Sequence, residues 1–118
     1  MIGKRSDLGY VRIADGIEIK ALNYGTETLM TEFLLKKNSS LPEHQHPYEQ
    51  TGYLIHGEIK LYIGGSSKIM KPGDSWNIPS NVKHKAEILE DSKALEIFCP
   101  RRDDYLKYVF EDDIVEGH

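Results

Sequence analysis

The stretch LPEHQHPYEQTGYLIHGEI, residues 41–59, decides how the rest of the chain is read. It places His44 and His46 one residue apart and follows them with Glu49, a carboxylate, and Gln50, an amide. Two imidazoles at that spacing suggest a shared metal ion, and such a site often adds an oxygen donor. On a strand, residues of one parity project to one face, and His44, His46 and Gln50 share parity while Glu49 does not. An unbroken strand therefore turns Gln50 inward with both histidines and sends Glu49 outward or behind them. One bulge between Pro47 and Gln50 would exchange those roles.

The flanking sequence shows why a strand is expected. In TLMTEFLLKK, Leu29, Phe33 and Leu35 alternate with Thr28, Glu32 and Lys36. EIKLYIGG sets Ile59, Leu61 and Ile63 against Glu58, Lys60 and Tyr62, and KALEIFCP repeats the pattern with Leu95 and Ile97. Period-two alternation marks half-buried strands. Turn signals fall between them at short intervals: Asp15-Gly16, Asn38-Ser39-Ser40, His56-Gly57, Gly64-Gly65-Ser66, residues 71–74 and Glu90-Asp91-Ser92. Many short strands with frequent turns imply an all-β sandwich or barrel. Only RRDDYLKYVFEDD suggests a helix, with Tyr105, Leu106, Val109 and Phe110 at three- and four-residue spacings.

Length and composition bound the function. A chain of 118 residues holds one domain rather than two, so 1–118 is read as a single unit. The net charge of −4 argues against a nucleic-acid partner, which calls for a basic surface. Apolar runs are too short for a membrane helix, and the N-terminus lacks the apolar core of a signal peptide. The single Cys99 cannot form an internal disulfide; it is expected to be buried, and a cytoplasmic location fits.

The other half of a metal site lies in KPGDSWNIPSNVKHKAEI, residues 71–88, which ends its turns at His84. Pro79 and Asn81 shape the approach, and a barrel can carry His84 across to residues 44 and 46. Taken singly, His44 and His46 read better as solvated loop residues and His84 as a satisfied core histidine; the three in two matched stretches read as a metal site. His56, beside a turn glycine, and His118 are expected at the surface. Tyr53, Tyr62 and Trp76 are candidates for cavity lining, although core or interface is the commoner place for such aromatics.

These two stretches resemble the paired motifs of the cupin superfamily, G-x5-H-x-H-x3,4-E-x6-G and G-x5-P-x-G-x2-H-x3-N. The first, at 38–57, is matched by His44, His46, Gln50 and Gly57. The second, at 73–88, is matched by Gly73, Pro79 and His84. Together they span about a third of the chain. Asn38 and Asn81 stand where the motifs have glycine, and asparagine tolerates the left-handed backbone those turns need. Ile88 replaces the last asparagine and Gln50 the glutamate ligand. The resemblance implies a small double-stranded β-helix, or jelly-roll barrel, whose mouth holds one divalent transition metal. Nickel, iron, manganese, cobalt and zinc all suit nitrogen and oxygen donors.

An amide in place of a carboxylate leaves more of the ion's charge uncompensated. That favours Lewis-acid chemistry on an anionic or chelating substrate over oxygen activation. Within the superfamily the chain is similar to KdgF-type proteins of pectin and alginate degradation, which keep His-x-His-x2-Glu-Gln and linearize 4,5-unsaturated uronates. That resemblance implies His44, His46, Gln50 and His84 as ligands. It also draws attention to Glu96, Phe98 and Arg102 in EIFCPRRDDY, where the family has aspartate at the first position. Glu96 and Phe98 share strand parity and can face one cavity, with Glu96 moving a proton and Phe98 packing on a sugar ring. Arg102 can pair with a uronate carboxylate. The plainer alternative makes Glu96 the solvent face of a strand and Arg101 and Arg102 a solvated turn.

The expected activity is thus a metal-dependent, non-redox lyase or isomerase acting on a small anionic sugar acid. A cupin dioxygenase, a polyketide-type cyclase and a non-catalytic metal- or sugar-binding module are the alternatives. The resemblance also implies a homodimer, with neither membrane nor nucleic acid as partner.

Overall fold

The computed structural model describes residues 1–116; His118 lies outside them. Alternating sequence becomes strand along most of that length. The strands are β1 (Ile2–Gly3), β2 (Val11–Ala14), β3 (Ile17–Tyr24), β4 (Leu29–Leu35), β5 (Ser40–His44), β6 (Glu49–Ile63), β7 (Ser66–Met70), β8 (Ser75–Ile78), β9 (His84–Cys99) and β10 (Ile114–Val115). β4 shows the physical basis most simply. Leu29, Thr31, Phe33 and Leu35 are buried while Met30, Glu32 and Leu34 are only partly so, as the pleat requires.

Two long strands organise the fold. β6 gives residues 50–53 to β8 and residues 59–63 to β7, and lies along β9 throughout. β9 pairs with β5 through its first half and with β4 through its second. The path β2-β3-β4-β9-β6-β7 is antiparallel at every step. Because β6 and β9 each change partner midway, the sheet folds back on itself around a shared core. That core contains Ile17, Ile19, Phe33, Leu35, Leu54, Ile59, Leu61, Trp76, Ile78 and Ile88. Each fully buried aliphatic side chain contributes about 1.5–3 kcal/mol of burial free energy.

The His56-Gly57 and Glu90-Asp91-Ser92 signals are not chain reversals. Both lie inside long strands, where the β6–β9 register shifts between Leu54 and Ile59. Gly57 has φ +101, and the Ser92 hydroxyl accepts the Glu58 N–H at 3.0 Å in place of a ladder bond. The asparagine substitutions behave as expected: Asn38 and Asn81 sit at φ 71 and φ 62.

The expected C-terminal helix does not form. Residues 103–108 make a short 3-10 turn with no buried residue, followed by a second at Glu111–Asp113. The aromatic spacing serves separate contacts instead. Tyr105 packs on Phe98, while Phe110 stacks near Lys20 on the opposite side of β3. Among the described residues no helix is long and apolar enough to cross a membrane.

Candidate metal centre

His44 ends β5 and His84 begins β9, and the two are direct cross-strand partners. His46 comes from the short connection that follows β5, where the Asn81 N–H donates to its carbonyl at 2.8 Å. The three imidazoles converge, with one nitrogen of each within 4.8 Å of the others. His46 and His84 are buried and His44 is exposed, so the cluster has one open side. The strand expected from His44 to Gln50 is broken at residues 45–48. Gln50 nevertheless turns inward at the start of β6, whereas Glu49 is exposed and accepts a hydrogen bond from Asn77 at 3.1 Å.

The donor set fits a cation. Each Nδ1–H is committed to a main-chain carbonyl: His44 to Pro42 at 2.8 Å, His46 to Tyr48 at 2.9 Å and His84 to Val82 at 2.9 Å. A carbonyl can only accept, so each ring presents an unprotonated Nε2, the arrangement that prepares histidine for metal. Nε2 of His84 is buried without a hydrogen-bond partner among the described residues. Gln50 Oε1 stands 3.1 Å from Nε2 of His46, two lone-pair atoms that a shared cation would satisfy. Burial holds the His46 and His84 imidazoles below the ordinary histidine range, and the Arg102 guanidinium adds to the effect.

Behind the cluster a cavity runs into the core. His44, Gln50, His84, Glu96, Phe98 and Arg102 all line it. On β9 the inward residues are Ala94, Glu96 and Phe98, and Leu95 and Ile97 lie only half-buried on the outer face. Glu96 and Phe98 thus face the cavity together, and the Leu95 and Ile97 that apolar alternation alone picks out lie outside. Cys99 is exposed rather than buried, since it follows the same outward parity. Glu96 accepts the Trp76 indole N–H at 3.0 Å through Oε1, while Oε2 is buried without a partner among the described residues. Burial pushes this carboxyl up to about 8, against the opposing pull of the Gln50 amide and the indole. It is therefore largely a neutral acid near pH 7, which no solvent-facing glutamate would be.

Arg102 is not a solvated turn either. Its guanidinium stacks on Tyr105, 3.8 Å from the ring centroid, and also lies over Phe98 and Tyr48. It is paired with Asp104 at 3.2 Å. Arg101 points elsewhere, to Asp103 and the carbonyl of Gly25. Tyr48 and Tyr105 were not apparent from sequence as parts of the site. The spacing of Tyr105 reads as a helix face, and Tyr48 lacks any spacing signal. Of the three candidate cavity aromatics, Trp76 lines the cavity, Tyr53 is exposed, and Tyr62 bonds Glu87 on the outside.

Residues 31–100 match the cupin domain family. The chain belongs to the cupins. This cupin is 28% identical over 96 residues to the pectin degradation protein KdgF of Dickeya dadantii, covering 80% of this chain and 87% of that protein. The structure of KdgF from a Halomonas species superposes with a TM-score of 0.85 at 26% identity, covering 90% of this cupin and all of the other. An RmlC-like cupin from Shewanella frigidimarina reaches 0.79 at 25% identity, over 82% and 87% of the two chains. The jelly-roll barrel expected from the motifs is the fold that these structures share.

Proposed function

We propose that this cupin, acting as one unit over 1–118, binds a divalent transition metal through His44, His46, Gln50 and His84. We propose further that it opens the ring of a 4,5-unsaturated uronate or a related sugar acid. The observation that carries the reading is the meeting of the imidazole cluster with Glu96, Phe98 and Arg102 around one cavity. Likeness to the KdgF proteins supports the same direction.

In such a substrate the ring oxygen belongs to an enol ether and C1 carries a hemiacetal hydroxyl. Opening removes the hydroxyl proton, forms the C1 carbonyl and breaks the bond from C1 to the ring oxygen. The electron pair stays on that oxygen as an enolate, and protonation at C4 yields the keto acid. Substrate and product are isomers, so no oxidant, reductant or water is consumed. A divalent ion at the site would supply Lewis acidity toward the reacting oxygens, strengthened by the neutral amide donor.

The chain's own groups cover the rest. Glu96 can give a proton from Oε2 to C4 as the ring bond breaks and take up the hydroxyl proton in the same passage, which returns it to its starting form. Arg102, held flat against Tyr105, offers a fixed fork to the substrate carboxylate. The Phe98 ring gives the sugar an apolar surface, and the buried barrel wall keeps bulk water from the open intermediate.

Metal-loaded protein mixed with 4,5-unsaturated galacturonate should accelerate loss of the enol-ether absorbance. Glu96→Ala should remove about a hundredfold or more of that acceleration. A rate equal to the blank, with metal demonstrably bound, would overturn the proposal.

A further inference from the structure

We infer that Trp76 is a positioning residue for Glu96, fixing Oε1 through its indole N–H and leaving Oε2 for a bound molecule, with Gly52 providing the clearance. This rests on the proton-moving role proposed for Glu96.

The argument starts from strand register. Gly52 on β6 is the direct partner of Trp76 on β8 and of Glu96 on β9. All three fall on the inner face, so they form one row across three neighbouring strands. Side chains at the ends of such a row are normally separated by the one between. Here the middle residue has none, and the outer two meet over its Cα, with indole Nε1 3.0 Å from Oε1 of Glu96.

A Cβ at position 52 would lie 2.1 Å from Nε1, 2.2 Å from Cε2 of the indole and 2.5 Å from Oε2 of Glu96. Gly52 is not among the glycines with positive φ, so its backbone does not demand glycine. Glycine inside a strand weakens it and marks a close approach. The approach served here is that of the indole to the carboxyl. Tryptophan is also more than core filler at position 76, because its one polar atom is spent on the one carboxyl in the cavity. A glutamate side chain has three rotatable bonds. Tying down one oxygen removes most of that freedom and makes the other oxygen the reactive one.

Trp76 is the sole tryptophan, so a nitrogen-15 spectrum of the zinc-loaded protein contains a single indole N–H resonance. That resonance should move upfield in Glu96→Ala while the backbone amides stay dispersed. With 4,5-unsaturated galacturonate, Trp76→Phe and Gly52→Ala should each lower kcat by about tenfold to a hundredfold and leave KM within about twofold. An indole resonance that ignores Glu96→Ala, or a loss carried by KM, overturns the inference. Should Trp76→Phe fail to fold, Gly52→Ala and the indole resonance decide it. Undiminished turnover in Glu96→Ala would instead sink the proton-moving role itself, even with the indole shift observed.

Discussion

At position 50 a single side chain faces two demands. One end of the Gln50 amide, Oε1, stands against the His46 imidazole, and the side chain also lies beside the Glu96 carboxyl. A glutamate there would set two carboxyls side by side in a buried space. The amide instead offers an oxygen to the cluster and sets no second charge beside the acid. Gln50→Ala should therefore weaken zinc binding by about tenfold or more in a calorimetric titration. Glu49→Ala, exposed and bonded only to Asn77, should leave the affinity unchanged. Glu96 carries a cost that the same kind of measurement can expose. Its folded value of about 8 lies above the ordinary 4.5, so folding favours the protonated acid. That stability is complete below the ordinary value and is lost as pH rises through the folded one. Glu96→Gln cannot ionise and escapes the loss. In metal-free protein, urea unfolding should show this variant gaining on the wild type between pH 4.5 and pH 8, by on the order of 3 kcal/mol at pH 7.

Among the elements, β6 and β9 do most to set the architecture, and their bends depend on one contact. Gly57 sits at φ +101, and a Cβ there would fall 2.0 Å from the Ser92 hydroxyl and 2.5 Å from its Cα. Gly57→Ala combines left-handed strain with a clash against backbone and should destabilise by on the order of 2–3 kcal/mol in a denaturant titration. Ser92→Ala removes only the hydroxyl that substitutes for a ladder bond and should cost about 1 kcal/mol. Strands are legible in the sequence on both sides of these bends, but the bends themselves read as turns, because glycine and aspartate signal either. The pattern is clearest where the inner face is apolar, as along β4 and residues 59–63. At residues 94–98 apolar alternation alone picks out Leu95 and Ile97, whereas Glu96 and Phe98, the pair that the resemblance draws attention to, occupy the inside. Functional sites invert the hydrophobic pattern, so periodicity alone misreads them. Gln50 faces inward although the expected strand is broken, a direction that motif spacing carries where parity does not.

Across the whole molecule the two ends of the chain close over the outer face of β3. β1 pairs with β10, Val109 bridges Ala21, and the Lys4 N–H donates to the Asp113 carbonyl. At the centre of this closure Lys20 is 2% exposed and pairs with Asp113, while Ser6 donates to the same carboxylate. Tyr10 and Phe110 present their rings to the ammonium. A charge taken out of water this fully is tolerable only while its partner remains. Removing one partner is therefore worse than removing both. Asp113→Asn should lower the melting temperature more than the double variant Lys20→Met, Asp113→Asn, in which no charge is stranded. The pH dependence has a definite sign. Lys20 holds the Asp113 carboxyl below its ordinary value, so the ionised form is favoured by folding. Its contribution is complete above the unfolded carboxylate value and disappears as pH falls through the depressed one. The melting-temperature gap between wild type and Asp113→Asn should thus be constant near neutrality and narrow in acid, below the ordinary aspartate value of 3.8. A gap that persists unchanged in acid would mean the closure is held by the β1–β10 pairing and the aromatic rings rather than by the ion pair.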